Sequence, residues 1–184
     1  MPSSHVYSRL LTVLALVWIA SLQLNAQDFK LEDLVQAKIL TSHDRFKPGA
    51  ELRGVVVLDI KNGFHINSDS PDDPGLIPTK VEILGVTGLA VSRTIYPTAL
   101  VRTFQFSEKA LEVYEGKTVI GFVAKLPASI KPGKLELSAR IRFQACNDDT
   151  CFRPVTKTVK ATLDVGPVPG KITNKEALSS VRWK

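Results

Sequence analysis

Cys146 and Cys151 are the only cysteines among the 184 residues, and they stand five apart. Asn147-Asp148-Asp149-Thr150 separates them, and two Asp with an Asn carry the chemistry of Asx turns. A four-residue loop of this kind closes a hairpin. It sets the two cysteines opposite each other, with Cα atoms about 4.5–5.5 Å apart and within disulfide reach. The ring so closed is small, so its effect on the unfolded chain is modest. An accessible hairpin disulfide is the type that exchanges. The other reading is a passive staple, because most cysteine pairs of exported proteins are structural. The spacing is not Cys-x-x-Cys and lacks the helix N-terminus that lowers a thiol pKa. Arg142 and Arg153 favour a thiolate here, while Asp148 and Asp149 oppose it.

The elements that must hold this pair read as strands. In residues 134–145, Leu135, Leu137, Ala139, Ile141, Phe143 and Ala145 share one parity and are apolar. Glu136, Ser138, Arg140, Arg142 and Gln144 share the other, and Cys146 falls with them. A regular strand would therefore hold the Cys146 sulfur outside the main core. Period-two patterning recurs in 35–40, 50–60, 63–67, 80–85, 88–96, 117–126 and 155–165. Gly54 is a candidate bulge. Turn signals separate the segments: Lys47-Pro48-Gly49, Asn62-Gly63, Pro71 to Pro78, Gly85 to Gly88, Lys131-Pro132-Gly133. Roughly seven to nine short strands at this spacing predict an all-β antiparallel sandwich. Helical signal is confined to two short stretches, 29–35 and 107–111.

Arg9 followed by the apolar run Leu10–Leu22 and the boundary Leu24-Asn25-Ala26 reads as a secretory signal cleaved after Ala26. The run is short of the roughly 20 apolar residues that span a bilayer, so an uncleaved anchor is the lesser alternative. Export places the cysteines where disulfides persist. Hydrophobic content of 44% with 23% charged residues fits a folded chain rather than a disordered one. The expected organisation is a signal over 1–26, one domain over 27–165, and a mobile C-terminal tail over 166–184 that docks, if at all, through Trp183.

The run Phe143-Gln144-Ala145-Cys146-Asn147-Asp148-Asp149-Thr150-Cys151 with Pro154 resembles the cysteine hairpin of the N-terminal periplasmic domain of the thiol:disulfide interchange protein DsbD. Gly63-Phe64-His65-Ile66-Asn67, then Pro71-Asp72-Asp73-Pro74 with Leu76-Ile77-Pro78-Thr79, and Val113-Tyr114-Glu115-Gly116 resemble the same family in the same order. The likeness runs over most of 30–165. It implies an immunoglobulin-like sandwich whose cysteine pair cycles between dithiol and disulfide in the periplasm. It also implies electrons received from a membrane protein and passed to thioredoxin-fold partners of the disulfide isomerase or cytochrome c maturation type. Cys151 would then be the exchanging thiolate and Cys146 the resolving one. The family's aromatic cap loop has its nearest counterpart in 96–106, with Phe104 or Phe106 as lid. Neither a multi-helix membrane segment nor a thioredoxin-type domain is legible in this sequence. The expectation is thus a stand-alone domain fed by a separate membrane electron-transfer protein. An exported immunoglobulin-like binding or assembly module with an inert bridge is the competing class.

His65 reads as an edge or hydrogen-bonded strand histidine rather than half of a Cys–His pair. His43 beside Asp44 reads as solvated. Asp72-Asp73 and Asp148-Asp149 lack calcium-loop spacing. Two thiolates without nearby Met or His leave a metal undercoordinated, so neither metal nor small-molecule cofactor is expected. Scattered Lys and Arg without interleaved aromatics give no nucleic-acid groove.

Overall fold

The computed structural model describes residues 30–183; the signal expected over 1–26 lies outside the described residues. Among them are eleven strands: β1 (Val35–Thr41), β2 (Glu51–Ile60), β3 (His65–Asn67), β4 (Lys80–Leu84), β5 (Ala90–Ile95), β6 (Leu100–Arg102), β7 (Leu111–Tyr114), β8 (Lys117–Lys125), β9 (Gly133–Phe143), β10 (Ala145–Cys146) and β11 (Val155–Val165). A 3-10 turn at Leu31–Leu34 leads into β1, and one short helix, α1 (Lys175–Ser179), lies near the C-terminus. All pairings between strands are antiparallel.

The strands form sheets of order β1-β2-β8-β5, β11-β9-β4 and β10-β3-β7-β6. One core cluster joins inward residues of the first sheet to those of the other two. Leu52, Val56, Leu58, Ile120 and Phe122 meet Val81, Ile83, Leu137, Ala139, Ile141 and Phe143 there. The chain is an immunoglobulin-like antiparallel β-sandwich, the class its alternation predicts. Leu137, Ala139, Ile141 and Phe143 lie in the core, with Arg140 and Arg142 exposed between them. The sequence pattern does not reveal β6, β7 or the break before β10. Two to four residues are too few for a period of two to show.

Gly54 is not a bulge. β2 keeps unbroken register with β8 from Glu51↔Lys125 to Asp59↔Lys117. A Cβ on Gly54 would run into the ring of its cross-strand partner Phe122. The glycine is there so that a core aromatic can lie against bare backbone.

The uninterrupted apolar run of β2 is explained by burial on both faces. Val56 and Leu58 point into the core. Val55 and Val57 point the other way and pack with Val181, Leu178, Ala177 and Trp183. The tail beyond Val165 is thus laid along the outer face of the first sheet. Thr173 N–H donates to Ser42 O (2.9 Å), Asn174 Nδ2 to Thr41 O (2.9 Å) and Trp183 Nε1 to Leu178 O (2.8 Å). Gly121 makes room, since a Cβ there would stand 2.6 Å from Val181 Cγ1.

Gly121→Val is expected to displace this tail. Overpacking of this kind costs about 1–3 kcal/mol, read as a lowered urea midpoint. The fluorescence of Trp183, the only tryptophan outside residues 1–26, should move toward the solvated range. An unchanged spectrum with unchanged stability would mean that the tail does not rest on Gly121 in solution.

Candidate functional site

Cys146 and Cys151 form a disulfide, with S–S 2.02 Å and Cα atoms 4.0 Å apart. Asn147 N–H donates to Thr150 O (3.0 Å) and Phe152 N–H to Ala145 O (2.9 Å), bracketing the pair. That pattern makes the cysteines a non-hydrogen-bonded antiparallel pair, the closer of the two kinds. The turn is held by Asn147, whose Oδ1 accepts from Asp149 N–H (3.1 Å) and Thr150 N–H (2.8 Å). The Asx chemistry expected of the loop is present.

The two sulfurs are not equivalent. Cys146 is fully buried, whereas Cys151 is half-buried. Strand parity places Cys146 outside the main core, and so it lies: Ala145 joins Phe143 and Ile66 in the core cluster, whereas Cys146 is paired with His65 and buried on the opposite face. The register of β9 with β11 does not continue regularly to residue 146. Phe143 pairs with Val155 and Cys146 with Cys151. Gln144 and Ala145 therefore face three residues, Phe152, Arg153 and Pro154, across a bulge. The extra residue lies in 152–154, so the bulge bends that segment while 143–146 stays extended. The chain leaves the β11-β9-β4 sheet at Phe143 and joins β3 at Ala145. The alternation of sides persists, with Phe143 and Ala145 in the core cluster and Cys146 on the other face beside His65.

Gln144 makes this switch possible. Its Nε2 donates to Phe152 O (3.0 Å). Its Oε1 accepts from Asn67 Nδ2 (3.1 Å) and from Ile77 N–H (3.1 Å). One side chain thus ties the cysteine hairpin to β3 and to the proline-rich loop. Asn67 Nδ2 also donates to Ile77 O (3.0 Å). Strand parity puts Gln144 on the solvated side. A polar residue at the end of an alternating strand carries no separate signal.

The structure pairs His65 with Cys146 across β3 and β10. The imidazole is buried, its Nε2 has no hydrogen-bond partner among the described residues, and its ring stacks on Phe104 with centroids 3.9 Å apart. Phe106 lies to the side of that pair with its ring nearly parallel, 5.4 Å from Phe104 and 6.4 Å from His65. The hydrogen-bonded strand histidine expected at 65 is therefore replaced by one that lies beside the cysteine pair with an unpaired nitrogen. Phe104 and Phe106, the two lid candidates, are half-buried and lie beside His65 rather than in the main core. Phe64 packs against Phe152 on the other flank (6.1 Å). An open groove of about 260 Å³ runs past the site between Lys61, Phe64, His65, Phe104, Glu115 and Asp148. Burial pushes the His65 pKa below its ordinary value, and the nearby Glu115 and Asp148 carboxylates pull it partly back. His43 is elsewhere, bonded to Ser42 Oγ at 3.0 Å.

Fold and site together define an immunoglobulin-like domain with a cross-strand cysteine pair beside a buried histidine on which Phe104 stacks. The family described as thiol:disulfide interchange protein DsbD, N-terminal, matches residues 36–163. The chain belongs to that family. A search of curated proteins found no match. Among solved structures, it is similar to the reduced DsbD N-terminal domain of Neisseria meningitidis, at 14% identity over 80% of this chain and 99% of that one, TM-score 0.45. It is also similar to the N-terminal periplasmic domain of ScsB from Proteus mirabilis, at 12% identity and TM-score 0.49. That match covers 77% of this chain and 49% of that one, so this chain spans about half of it. A third is the complex of the DsbD and PilB N-terminal domains from Neisseria meningitidis, at 11% identity over 73% of this chain and 87% of that one, TM-score 0.45.

The depressed His65 pKa has a stability consequence. Between its folded value and the unfolded value of about 6.5, the unfolded chain binds more protons, so stability falls as pH drops through that window. His65→Phe keeps the stack and removes the titration. Its urea midpoint is expected to lose less than the wild type between about pH 7 and pH 5. Equal losses in the two proteins would show that His65 does not contribute.

Proposed function

We propose that this domain carries out thiol–disulfide exchange in the periplasm, relaying two electrons through Cys146 and Cys151. The reading is supported by the family and by one geometric observation: the pair sits at a sheet edge, with Cys146 buried and Cys151 half-buried. In this reading Cys151 attacks the partner's disulfide, because it is the sulfur a partner can touch. Cys146 then displaces the partner from Cys151 and restores the intramolecular bond. The acceptors are thioredoxin-fold proteins of the disulfide isomerase or cytochrome c maturation type, and the donor is a membrane electron-transfer protein. The signal over 1–26 delivers the domain, and 27–165 is the working unit. Among the described residues no helix is long and apolar enough to cross a membrane.

Phe104 and Phe106 act as the lid in this scheme. The segment from Thr103 to Ala110 is irregular, lies between the short strands β6 and β7, and carries both rings. Few backbone bonds hold it, so it can open without unfolding the sheets.

The test is reduction of the folded domain. A thioredoxin-type donor is expected to reduce the pair within minutes in the absence of denaturant, and Cys146→Ser to trap a mixed disulfide through Cys151. A requirement for denaturant would favour the inert-bridge module, and trapping only with Cys151→Ser would reverse the two roles.

The lid has its own measurement. A stacked aromatic contact is worth about 0.5–1.5 kcal/mol beyond its buried area. Phe104→Ala should therefore raise the rate of reduction by a bulky thiol roughly 2- to 10-fold. A rate equal to that of the wild type would remove Phe104 from the lid.

A further inference from the structure

We propose that His65 Nε2 is the proton acceptor for the Cys146 thiol in the resolving step of exchange. The inference rests on the exchange reading, with Cys146 as the resolving cysteine. The oxidised form carries an imbalance. A buried polar atom left unpaired costs about 1–3 kcal/mol, and His65 Nε2 is buried and unpaired among the described residues. Its cross-strand neighbour is Cys146. Directly paired residues project from the same face of a sheet with Cβ atoms about 4.5–5.5 Å apart. In the disulfide the Cys146 sulfur has no proton to offer. Reduction puts an S–H donor on the residue paired with His65, whose buried Nε2 has no partner among the described residues.

The chemistry needs such a group at this cysteine and not at the other. A thiol enclosed in apolar surroundings resists ionisation, and Cys146 is fully buried. Cys151, partly open, can lose its proton to water. The charged groups around His65 are consistent with a neutral imidazole that can take a proton. Glu115 and Asp148 are the carboxylates acting on it, and they stabilise the imidazolium once formed. Glu115 is also bound by Arg102 through two hydrogen bonds, at 3.1 and 3.2 Å, and Lys61 lies along the same groove. Phe104 holds the ring in plane.

The balance is closed without an outside reagent. Cys151 thiolate attacks the partner's disulfide, forming one S–S bond and releasing one partner thiolate. The Cys146 proton passes to His65 Nε2. The Cys146 thiolate attacks Cys151 Sγ, forming the Cys146–Cys151 bond and expelling the second partner sulfur as thiolate. His65 returns its proton to that sulfur or to water. The domain is oxidised by two electrons and the partner reduced by two.

Two measurements decide it. In the first, imidazole nitrogen NMR is recorded on the domain oxidised and after reduction with dithiothreitol. The His65 Nε2 resonance and its titration midpoint are expected to change on reduction. In the second, the reduced domain is mixed with oxidised glutathione, and capture of the first glutathione is separated from release of the second. His65→Phe should slow the release at least about tenfold near pH 7, within the range of a lost proton-transfer group. The imidazole-type pH dependence of that step between about pH 5 and pH 8 should disappear. His65→Gln, which can hydrogen-bond but not carry the proton, should show the same loss and serves if the Phe variant fails to fold. Release at the wild-type rate in a folded variant, or a His65 resonance identical in both redox states, overturns the proposal. Failure of the wild-type domain to form any mixed disulfide through Cys151 would overturn the exchange reading instead, and the NMR comparison would still decide whether His65 senses the Cys146 thiol.

Discussion

The site depends on one strand changing sheets within a single residue. β9 must contribute Phe143 to the sandwich core and, three positions later, present a sulfur to a different sheet. Backbone amides at such a switch lose their ladder partners, and a buried amide without a partner is costly. Gln144 supplies the missing bonds from its side chain, to Phe152, Asn67 and Ile77. A side-chain amide can donate and accept at once, and those roles are used here to hold three segments that no ladder joins. The hairpin position and the pairing of Cys146 with His65 both follow from that anchor.

The same switch creates the difference between the two sulfurs. In a regular hairpin a non-hydrogen-bonded pair would present both side chains alike on one face. Here the pairing of β10 with β3, in which Cys151 takes no part, sets Cys146 beside the buried His65. Cys151, with its neighbour Phe152 packed against Phe64, stays at the rim. A pair built this way has a natural order of events. In the proposed exchange a partner sulfur reaches Cys151 first, and Cys146 acts only within the domain. The small ring adds little to stability through chain entropy, which fits a bond that is made and broken better than one kept for strength.

Much of this architecture is legible in the chain itself. Alternation in 134–143 and 155–165 marks the long ladder of β9 with β11, because each residue there is in the core or out of it by parity. The four residues from Asn147 to Thr150 mark the hairpin and its Asx turn. Parity holds past Gln144, with Ala145 in the core cluster and Cys146 outside it, but it does not tell that Cys146 is covered on its own face. A bulge leaves no mark on composition, and an apolar-polar pattern cannot say which sheet a strand joins next. The setting of His65 is hidden for a related reason: its partner lies 81 positions away and is set by β10 pairing with β3, a contact of only two residue pairs. The run Val55-Val56-Val57-Leu58 does signal burial on both faces, but the segment that covers the outer face has no alternation of its own. Val181 and Trp183 reach it by packing into the space left by Gly121.

The distribution of ladder lengths separates scaffold from site. β9 and β11 share eleven register pairs, and β2 and β8 share nine. β10 and β3 share two, and β6 and β7 share three. Each ladder pair adds bonds that must break together for a segment to open, so opening free energies rise with ladder length and enclosed apolar area. The cysteine hairpin and the aromatic segment above His65 are thus the parts of the sandwich that can move while the two large sheets stay intact. An enclosed sulfur is compatible with exchange only under that condition. In the proposed exchange Cys146 need never meet a partner, provided that the segment from Thr103 to Ala110 opens to admit one to Cys151.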